Sequence, residues 1–427
     1  MAKTSLAQVA RGLAIASAAL ALTMVAGCSG GAAGSPSAAP ASSGAATSGT
    51  VTVWHYFSAP NQVQLMDKYA QLFEASHPGS KVQNVYVPYD QMNSKLVAAT
   101  GAGSGPDVAV FNGAEYGTLA AGGVLQPMDT MLSGFADKAQ LPESVVHKLD
   151  GKTYALQGYV NLLGLWYNQD ILTELGLQPP TNLTELEAAM AAAKAKGYTG
   201  MTLCGLPQGQ GEWQAYPWLS AMGFDYAAAD QAKLADGLAL VRGWVDKGYV
   251  PQESVTWDQT VPFQKFAAGK VLFAENGNWQ MGTAKSDAKF KYGVVQLPVG
   301  ATGKVYLGGE GQGIGANSKN AQLAWDYIAS TYLSKEGQLA AASLVGSIPS
   351  RTDLASDPAI TGDPLLKPFA DTVAAHGTNY PASNINPKSV PDVQLTIGQA
   401  WSAVIGKQSD PAAAAQQAFG RVKPLLG

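Results

Sequence analysis

The first hundred residues of the folded chain switch between strand-like and helix-like hydrophobic patterns. Apolar and polar residues alternate over 51–54 and 81–88, and an apolar run covers 106–111, as in β-strands. Between these segments, over 61–76 and 89–100, apolar residues recur three and four positions apart, which places them on one helix face. The order predicts a β-α-β-α-β start, and therefore a parallel sheet covered by helices.

The remaining chain continues this mixture of patterns. Strands are predicted at 152–156, 162–167, 270–274, 292–297 and 305–307, and helices at 185–196, 230–247, 258–268 and 320–333. Two glycine-containing stretches without a periodic pattern, 209–213 and 308–315, are predicted as loops. After Arg351 the chain is predicted to be mostly helical. The fold class is therefore α/β.

Polar and aromatic side chains follow two of the predicted strands. His55 to Ser58 come directly after the first strand, and Asn112 to Tyr116 follow the strand that ends at Phe111. In parallel sheets, ligands gather beyond the carboxyl ends of the strands. These two segments are therefore candidates for ligand contact.

Residues 1–27 have the layout of a secretion signal. A cationic start with Lys3 and Arg11 precedes an apolar run over 13–26, which is shorter than the ~20 residues that span a bilayer. The run ends in Val25-Ala26-Gly27-Cys28, which resembles the lipobox of bacterial lipoproteins, in which the signal is cut before the cysteine and the cysteine carries the lipid. An ordinary signal peptide with a chance cysteine is the alternative. We expect a lipoprotein signal peptide over 1–27 and lipidation at Cys28.

Residues 28–49 are predicted to be a flexible tether. Serine, glycine, alanine and proline dominate the stretch, and it contains no charged or aromatic residue, so it has little to bury in a core. The expected arrangement is a folded body outside the cytoplasm, anchored to the cell membrane by its lipid.

Composition excludes some partners and narrows the role of the second cysteine. The whole chain has a formal net charge of −4, and the signal removes two basic and no acidic residues, so nucleic acid is not an expected partner. If Cys28 is lipidated, Cys204 has no partner for an intramolecular disulfide. A small buried apolar role for Cys204 is favoured over a catalytic thiol.

Four blocks of sequence together resemble the extracellular solute-binding proteins, family 1, of ABC importers, in their maltose-binding-protein-like, sugar-binding lipoprotein branch. The blocks lie within 51–129, 151–180, 269–298 and 308–351. They include the Gly-Ser-Gly-Pro-Asp turn at 103–107 and the Ser-Ile-Pro-Ser-Arg segment at 347–351. No block is specific alone, but all four follow the family's order and cover nearly the whole chain after the tether.

The resemblance implies a two-lobe, periplasmic-binding-protein-like fold of type II, with the ligand cleft between lobes joined by hinge strands. Lobe I is expected to comprise 50–160 plus 302–345, and lobe II 161–301 plus 346–427. The chain would cross between the lobes near 158–164, 298–304 and 346–350. The ligand would stabilise the closed state over the open one.

A sugar site needs planar polar side chains and flat aromatic rings, because a sugar presents hydroxyl groups and weakly apolar C–H faces. By family motif position, the resemblance implies stacking on Trp213 and Trp279 and a polar contact at Asn161. The full predicted ligand-binding set is His55, Tyr56, Phe57, Ser58, Phe111, Asn112, Glu115, Asn161, Trp213, Trp257, Asn278, Trp279, Gly309, Glu310 and Arg351. Packing is the alternative for each tryptophan, and a third stacking tryptophan has no counterpart, since Val393 falls near its position.

The sequence predicts a substrate-binding lipoprotein that captures a mono- or oligosaccharide and delivers it to the membrane permease subunits of an ABC importer. No enzymatic activity, metal or cofactor is predicted, and a monomer is expected. A glycerophosphodiester or another small solute is the alternative ligand. The alternative from another class is a membrane-anchored extracellular glycosidase, which would need two carboxylates about 5 to 9 Å apart.

Overall fold

The computed structural model describes residues 48–426, so the predicted signal peptide, Cys28 and nearly all of the tether lie outside the described residues. Within 48–426, none of the helices combines the length and the hydropathy that a membrane-spanning segment needs.

Strands and helices alternate along most of this range. The strands are β1 (Thr50–His55), β2 (Lys81–Tyr86), β3 (Val108–Asn112), β4 (Leu125–Gln126), β5 (Val146–Leu149), β6 (Lys152–Leu156), β7 (Tyr159–Val160), β8 (Leu163–Asn168), β9 (Thr199–Thr202), β10 (Val271–Gly277), β11 (Tyr292–Val295), β12 (Val305–Leu307), β13 (Glu310–Gly315), β14 (Ile348–Pro349) and β15 (Gly377–Asn379). The helices are α1 (Pro60–Ser76), α2 (Met92–Gly101), α3 (Tyr116–Ala121), α4 (Asp129–Ser133), α5 (Gln169–Leu175), α6 (Leu183–Ala195), α7 (Gly209–Ala221), α8 (Gln231–Asp246), α9 (Thr260–Ala267), α10 (Met281–Asp287), α11 (Ala321–Ser330), α12 (Lys335–Val345), α13 (Pro358–Thr361), α14 (Lys367–His376), α15 (Val390–Ile405) and α16 (Pro411–Val422).

The first sheet has the strand order β2-β1-β3-β13-β6-β5, and β4 pairs with β13. Strand β1 is parallel to β2 and β3, so the predicted parallel start is confirmed. Strand β13 runs antiparallel to β3 and β6, and β5 is antiparallel to β6, so the sheet as a whole is mixed. Because β1, β2 and β3 are parallel, their carboxyl ends lie on the same side of the sheet.

Both faces of the first sheet are covered. Val108 and Val110 of β3 lie in one hydrophobic cluster with residues of α1, while Ala109 and Phe111 lie in a second cluster with residues of α2 and α3. Because side chains alternate along a strand, an unbroken apolar run such as 108–111 fits a strand buried on both sides.

The second sheet has the order β11-β8-β10-β9, with β8 antiparallel to both β10 and β11 and β9 parallel to β10. Helix α14 contacts β8 and β11 of this sheet, and α15 packs against α7, α8 and α16. Within 48–426 no strand of the first sheet pairs with a strand of the second, and we call each sheet with its helices one body of the fold. The predicted α/β class is confirmed.

Two predicted loops are wrong. Residues 209–213 form the first turn of α7, and 310–315 form the central strand β13. A Cβ atom on Gly311 would lie 3.0 Å from the Phe111 ring, and one on Gly313 would lie 2.9 Å from the Leu125 side chain. The absence of a side chain at these glycines leaves room for Phe111 and Leu125. Because glycine is neither clearly apolar nor polar, the segment lacks the alternation by which a strand is recognised in the sequence.

The chain passes between the two bodies where short β-pairs form. Strand β7 pairs with β14, and Asn161 forms an antiparallel bridge with Gly308. Strand β12 pairs with β15, so residues 305–307 associate with the carboxyl-terminal segment, although 302–307 was assigned to lobe I. We therefore propose that the second crossing lies at 308–309, a few residues after the predicted 298–304.

Cys204 lies in the interior, where burial raises the pKa of its thiol to about 12. Since the thiolate is the reactive form, Cys204 is expected to be unreactive in the native protein. In a Cys28→Ser chain, we expect a thiol reagent such as Ellman's to give no colour at about pH 8 until denaturant is added. Rapid reaction under native conditions would contradict this burial.

Candidate ligand-binding site between the two sheets

A buried polar network joins the crossings between the two bodies, and Asn161 is its centre. Its Nδ2 donates to Glu310 Oε2 at 3.3 Å. Its Oδ1 accepts hydrogen bonds from Asn278 Nδ2 and from Ser347 Oγ, each at 2.9 Å. One side chain from the first crossing therefore contacts residues beside the second and third crossings.

Asn278 completes the network from the end of β10. Its Oδ1 accepts from the backbone N–H of Leu162 at 2.8 Å, and its Nδ2 also donates to the Gly346 carbonyl at 2.9 Å. The side-chain amides of Asn161 and Asn278 are buried and hydrogen-bonded to other groups of the protein. They lie at the base of the site, where they fix the backbone.

Glu310 connects this network to the first lobe. Its Oε1 accepts a hydrogen bond from the Tyr56 hydroxyl at 3.1 Å, while its Oε2 accepts from Asn161. Burial raises the pKa of the Glu310 carboxyl, and the hydrogen bond from Tyr56 opposes that rise. Gly309, just before it, has a φ of +137°, a conformation that favours glycine.

The first-lobe wall of the site is formed beyond the ends of three neighbouring strands. Tyr56 packs edge-on against Tyr89, with ring centroids 5.0 Å apart. Asn112 Nδ2 donates to the Tyr89 hydroxyl at 2.9 Å, and its Oδ1 accepts from the Ala114 N–H. Glu115, in the turn after Asn112, is half-buried, and Ser58, two residues after Tyr56, is exposed. The structure thus brings Tyr56 and Asn112 against the same ring, that of Tyr89, and ligand contact by Tyr56, Ser58, Asn112 and Glu115 stays a prediction.

Tyr89 belongs to this wall but was not among the predicted residues. It keeps 44% of its surface exposed although it is a large aromatic side chain. It follows β2 by three residues, so the same strand-end rule that selected residues after β1 and β3 would have found it.

The second-lobe wall is a group of closely packed aromatic rings, in which Trp213 and Tyr380 are each 7% exposed. Trp213 stacks on Tyr306 at 5.6 Å between ring centroids and meets Tyr380 edge-on at 4.5 Å. Trp213 lies directly against Gly308, where a Cβ atom would overlap its ring. The wall therefore depends on a glycine at the second crossing.

Tyr380 is the second residue that the sequence did not reveal. Burial raises the pKa of Tyr380 well above its usual range, and the charges of Glu212, Tyr89 and Glu115 add to the rise. Tyr380 therefore lies within electrostatic reach of the first-lobe wall. Val393, which falls near the position of a third stacking tryptophan, is fully buried in the core.

Several predicted contact residues are buried in packing instead. Phe111 is fully buried among residues of α2 and α3. His55 and Phe57 are buried, and His55 Nδ1 accepts from the Phe57 N–H at 3.2 Å, while burial lowers the pKa of His55 to about 4. Their side chains pack in the core, and ligand contact by these three residues stays a prediction.

Arg351 is also a structural residue. Its guanidinium donates to both carboxylate oxygens of Asp353 at 2.9 and 2.8 Å, to Asp137 at 2.9 Å and to the Leu333 carbonyl at 2.9 Å. The pKa of Asp353 is held well below its usual range, chiefly by the hydrogen bonds from Arg351. No pair of guanidinium N–H groups of Arg351 is left to bind an anionic ligand in a bidentate way.

The other two predicted tryptophans are Trp257 and Trp279, of which Trp279 directly follows Asn278 at the base of the site. Trp257 is buried, with Lys265 Nζ 4.6 Å from its ring centroid. Trp279 is half-buried and lies against Gly277, where a Cβ atom would overlap its ring. Within 48–426, no group of three or more His, Cys, Asp or Glu side chains is placed to hold a metal ion.

Comparison with known proteins identifies the family. The sequence profile described as "Bacterial extracellular solute-binding protein" matches residues 68–368. The chain belongs to this family. The predicted family and its two-lobe fold are thereby confirmed.

Curated relatives and solved structures of this solute-binding protein agree with the assignment. It is 26% identical to the maltotriose-binding protein of Pyrococcus abyssi, over 84% of this chain and 76% of the relative. It is 25% identical to the galactooligosaccharide-binding protein of Bacillus subtilis, over 82% and 84%. The GacH receptor of Streptomyces glaucescens, solved unliganded and with acarbose, superposes with a TM-score of 0.77 at 25% identity, covering 89% of this chain and 98% of that one.

A buried carboxyl behind the aromatic wall predicts a pH dependence of stability. Glu212 accepts from the hydroxyls of Tyr226 and Tyr306 at 2.9 and 2.8 Å, and burial raises its pKa from 4.5 to about 7. Between these values the folded state binds more protons than the unfolded chain. Its contribution to the free energy of unfolding therefore falls as pH rises through that window, by at most about 3 kcal/mol.

Glu212→Gln should reduce this fall, measured by urea unfolding at about pH 5 and about pH 8. The exposed Glu253→Gln is the matched control and should behave like the wild type. Glu275, whose pKa burial raises, and His55, whose pKa burial lowers, contribute alike to both proteins, so the difference between Glu212→Gln and the wild type reports on Glu212. An identical pH dependence in Glu212→Gln and wild type would contradict the assignment.

Proposed function

We propose that this solute-binding protein is the substrate-binding lipoprotein of an ABC importer and captures a sugar between its two lobes. The observation that carries the proposal is the pairing of two unlike walls. The exposed Tyr89 ring, held by Asn112, lies on one lobe, and the Trp213–Tyr380 pair lies on the other. Aromatic rings stack on the C–H faces of a sugar, and the adjoining amide and carboxyl groups form hydrogen bonds with its hydroxyls.

The charges around the walls favour a neutral sugar over an anion. Glu115 and Glu310 supply acceptors beside Tyr89 and Tyr56, and Arg351, the basic residue expected nearest the cleft, is occupied by Asp353 and Asp137. A glycerophosphodiester would meet acidic groups rather than a free guanidinium, and like charges repel.

Relatives support the same ligand class. The two curated relatives are described as binding maltotriose and galactooligosaccharide, and we infer an oligosaccharide for this chain. The relatives are binding proteins, and we infer capture without turnover here. Glu310, the carboxyl at the base of the site, already accepts from Tyr56 and Asn161, which leaves it poorly placed as a glycosidase acid or nucleophile.

Delivery to a permease and attachment by a lipid at Cys28 are further parts of the proposal. The protein belongs to an extracellular family, and relatives in Streptococcus pneumoniae are described as solute-binding lipoproteins of ABC transporters. The lipobox-like segment ending at Cys28 supports the same attachment for this chain.

A thermal-shift screen against mono- and oligosaccharides, glycerophosphodiesters and amino acids tests the proposed function. A ligand at about 100 times its Kd adds about 2.7 kcal/mol of stability, which raises Tm measurably. We expect a shift with one class of sugar and no change of that sugar on prolonged incubation. A shift only with a phosphodiester, or hydrolysis of the sugar, would contradict the proposal.

Tyr89→Ala should weaken sugar binding by about tenfold, equal to ~1.4 kcal/mol, because it removes an exposed stacking surface. Tyr86→Ala is the matched control, since Tyr86 is 53% exposed on the same lobe but is not part of the wall. Titration calorimetry gives both affinities. Equal losses in both variants, or none in Tyr89→Ala, would remove Tyr89 from the site.

A further inference from the structure

The two lobes touch where α3 of the first lobe meets the segment that precedes α15. Gly117 of α3 lies so close to Pro387 that a Cβ atom on it would come within 2.6 Å of the Pro387 carbonyl oxygen and 2.8 Å of its carbonyl carbon. These are backbone atoms, so they cannot swing aside as a flexible side chain can. The contact therefore depends on a residue without a Cβ atom at 117.

The same segment of the second lobe makes further contacts with the first lobe. Lys388 Nζ lies 3.8 Å from Asp150 Oδ2, in the turn between β5 and β6. Helix α15, which starts at Val390, contacts the 113–115 turn that follows β3. We call residues 380–388 the end segment. Its contacts to α3 and to the β5–β6 turn lie toward the β5 edge of the first sheet.

The inner side of the end segment carries site residues. Tyr380, its first residue, packs against Trp213, and its hydroxyl accepts from Gln394 Nε2 at 2.6 Å. That hydroxyl keeps its own hydrogen for a further acceptor. On the facing lobe, the half-buried Glu115 belongs to the 113–115 turn that α15 contacts. Donor and acceptor groups are thus concentrated just inside the closed end.

A second contact between the lobes joins Gly282 of α10 to the side chain of Asn61, near the start of α1, but residues 89–91, after β2, are exposed. Strand β2 lies at the other edge of the first sheet from β5. Tyr89, after its carboxyl end, is 44% exposed, and Ser58, after the neighbouring β1, is exposed as well. The site is therefore closed toward β5 and open toward β2.

We propose that the end segment closes the site against the terminal ring of a saccharide, so that the protein selects linear chains bound by one end. A terminal ring presents one more free hydroxyl than an internal ring, which suits the concentration of donors and acceptors at the closed end. Cyclic saccharides and chains substituted at the enclosed end are excluded by contact with the segment. This inference rests on the proposed function and specifies its substrate class.

Calorimetry with end-blocked sugars tests the inference. The probes are maltotriose and galactotriose, each free, as the reducing-end p-nitrophenyl glycoside, and with a 4,6-O-ethylidene group on the non-reducing end. We expect one of the two blocked forms of the bound sugar to bind at least about tenfold more weakly and the other within about twofold of the free sugar. β-Cyclodextrin should not bind.

Binding of both blocked forms within about twofold of the free sugar, or of β-cyclodextrin as tightly as maltotriose, would overturn this inference and leave the proposed function standing. Failure of both free trisaccharides to bind would overturn the proposed oligosaccharide function and this inference together. The two failures are therefore distinguishable.

Gly117→Ala tests the contact itself, because its methyl group holds the end segment away from α3. We expect the excluded blocked form to recover to within about threefold of the free sugar. Gly420→Ala, in α16 with nothing within 4 Å of the added Cβ atom, is the matched helical control and should keep the discrimination. Unchanged discrimination in a folded Gly117→Ala protein would contradict the role of the end segment, and Pro387→Gly repeats the test from the other side.

Discussion

The hydrogen-bonded side chain of Asn161 is the interaction on which the arrangement of the two lobes depends. It contacts Glu310, Asn278 and Ser347 at the place where the chain passes between the two sheets. Burying an unpaired amide or carboxyl is costly, so each of these groups is stabilised only while the others keep their positions. The relative placement of the crossings is therefore set by a polar network rather than by apolar packing alone.

The same network links the base of the site to its walls. Glu310 accepts from Tyr56, which packs on Tyr89, and Tyr89 accepts from Asn112. On the other lobe, Gly308, whose backbone is bridged to Asn161, leaves room for Trp213. A movement at the crossings would therefore displace aromatic residues on both sides of the bound ligand. This contiguity provides a physical route by which ligand contact and lobe orientation can influence each other.

The parts of the fold and site that were predictable are those that leave a local pattern. Alternation and helical spacing predicted β1, α1, β2 and β3, and the strand-end rule selected Tyr56, Ser58, Asn112 and Glu115. Strand β13 was missed because its glycines break the alternation of apolar and polar residues. Why glycine is needed there is evident only from the neighbouring side chains of Phe111 and Leu125. Tyr380 was missed because its position beside Trp213 is set by tertiary packing. Conversely, Phe111 and Arg351 lie near predicted strand ends or crossings, but whether such side chains face the core or the ligand depends on their partners.

A crystal structure of the protein with the sugar that gives the largest thermal shift is the most direct test of ligand capture between the lobes. We predict the sugar between the Tyr89–Asn112 side and the Trp213–Tyr380 side, with a ring face on at least one aromatic ring and hydroxyls within hydrogen-bonding distance of Glu115 or Asn112. Sugar density elsewhere on the surface, with the space between these walls empty, would contradict the two-wall site.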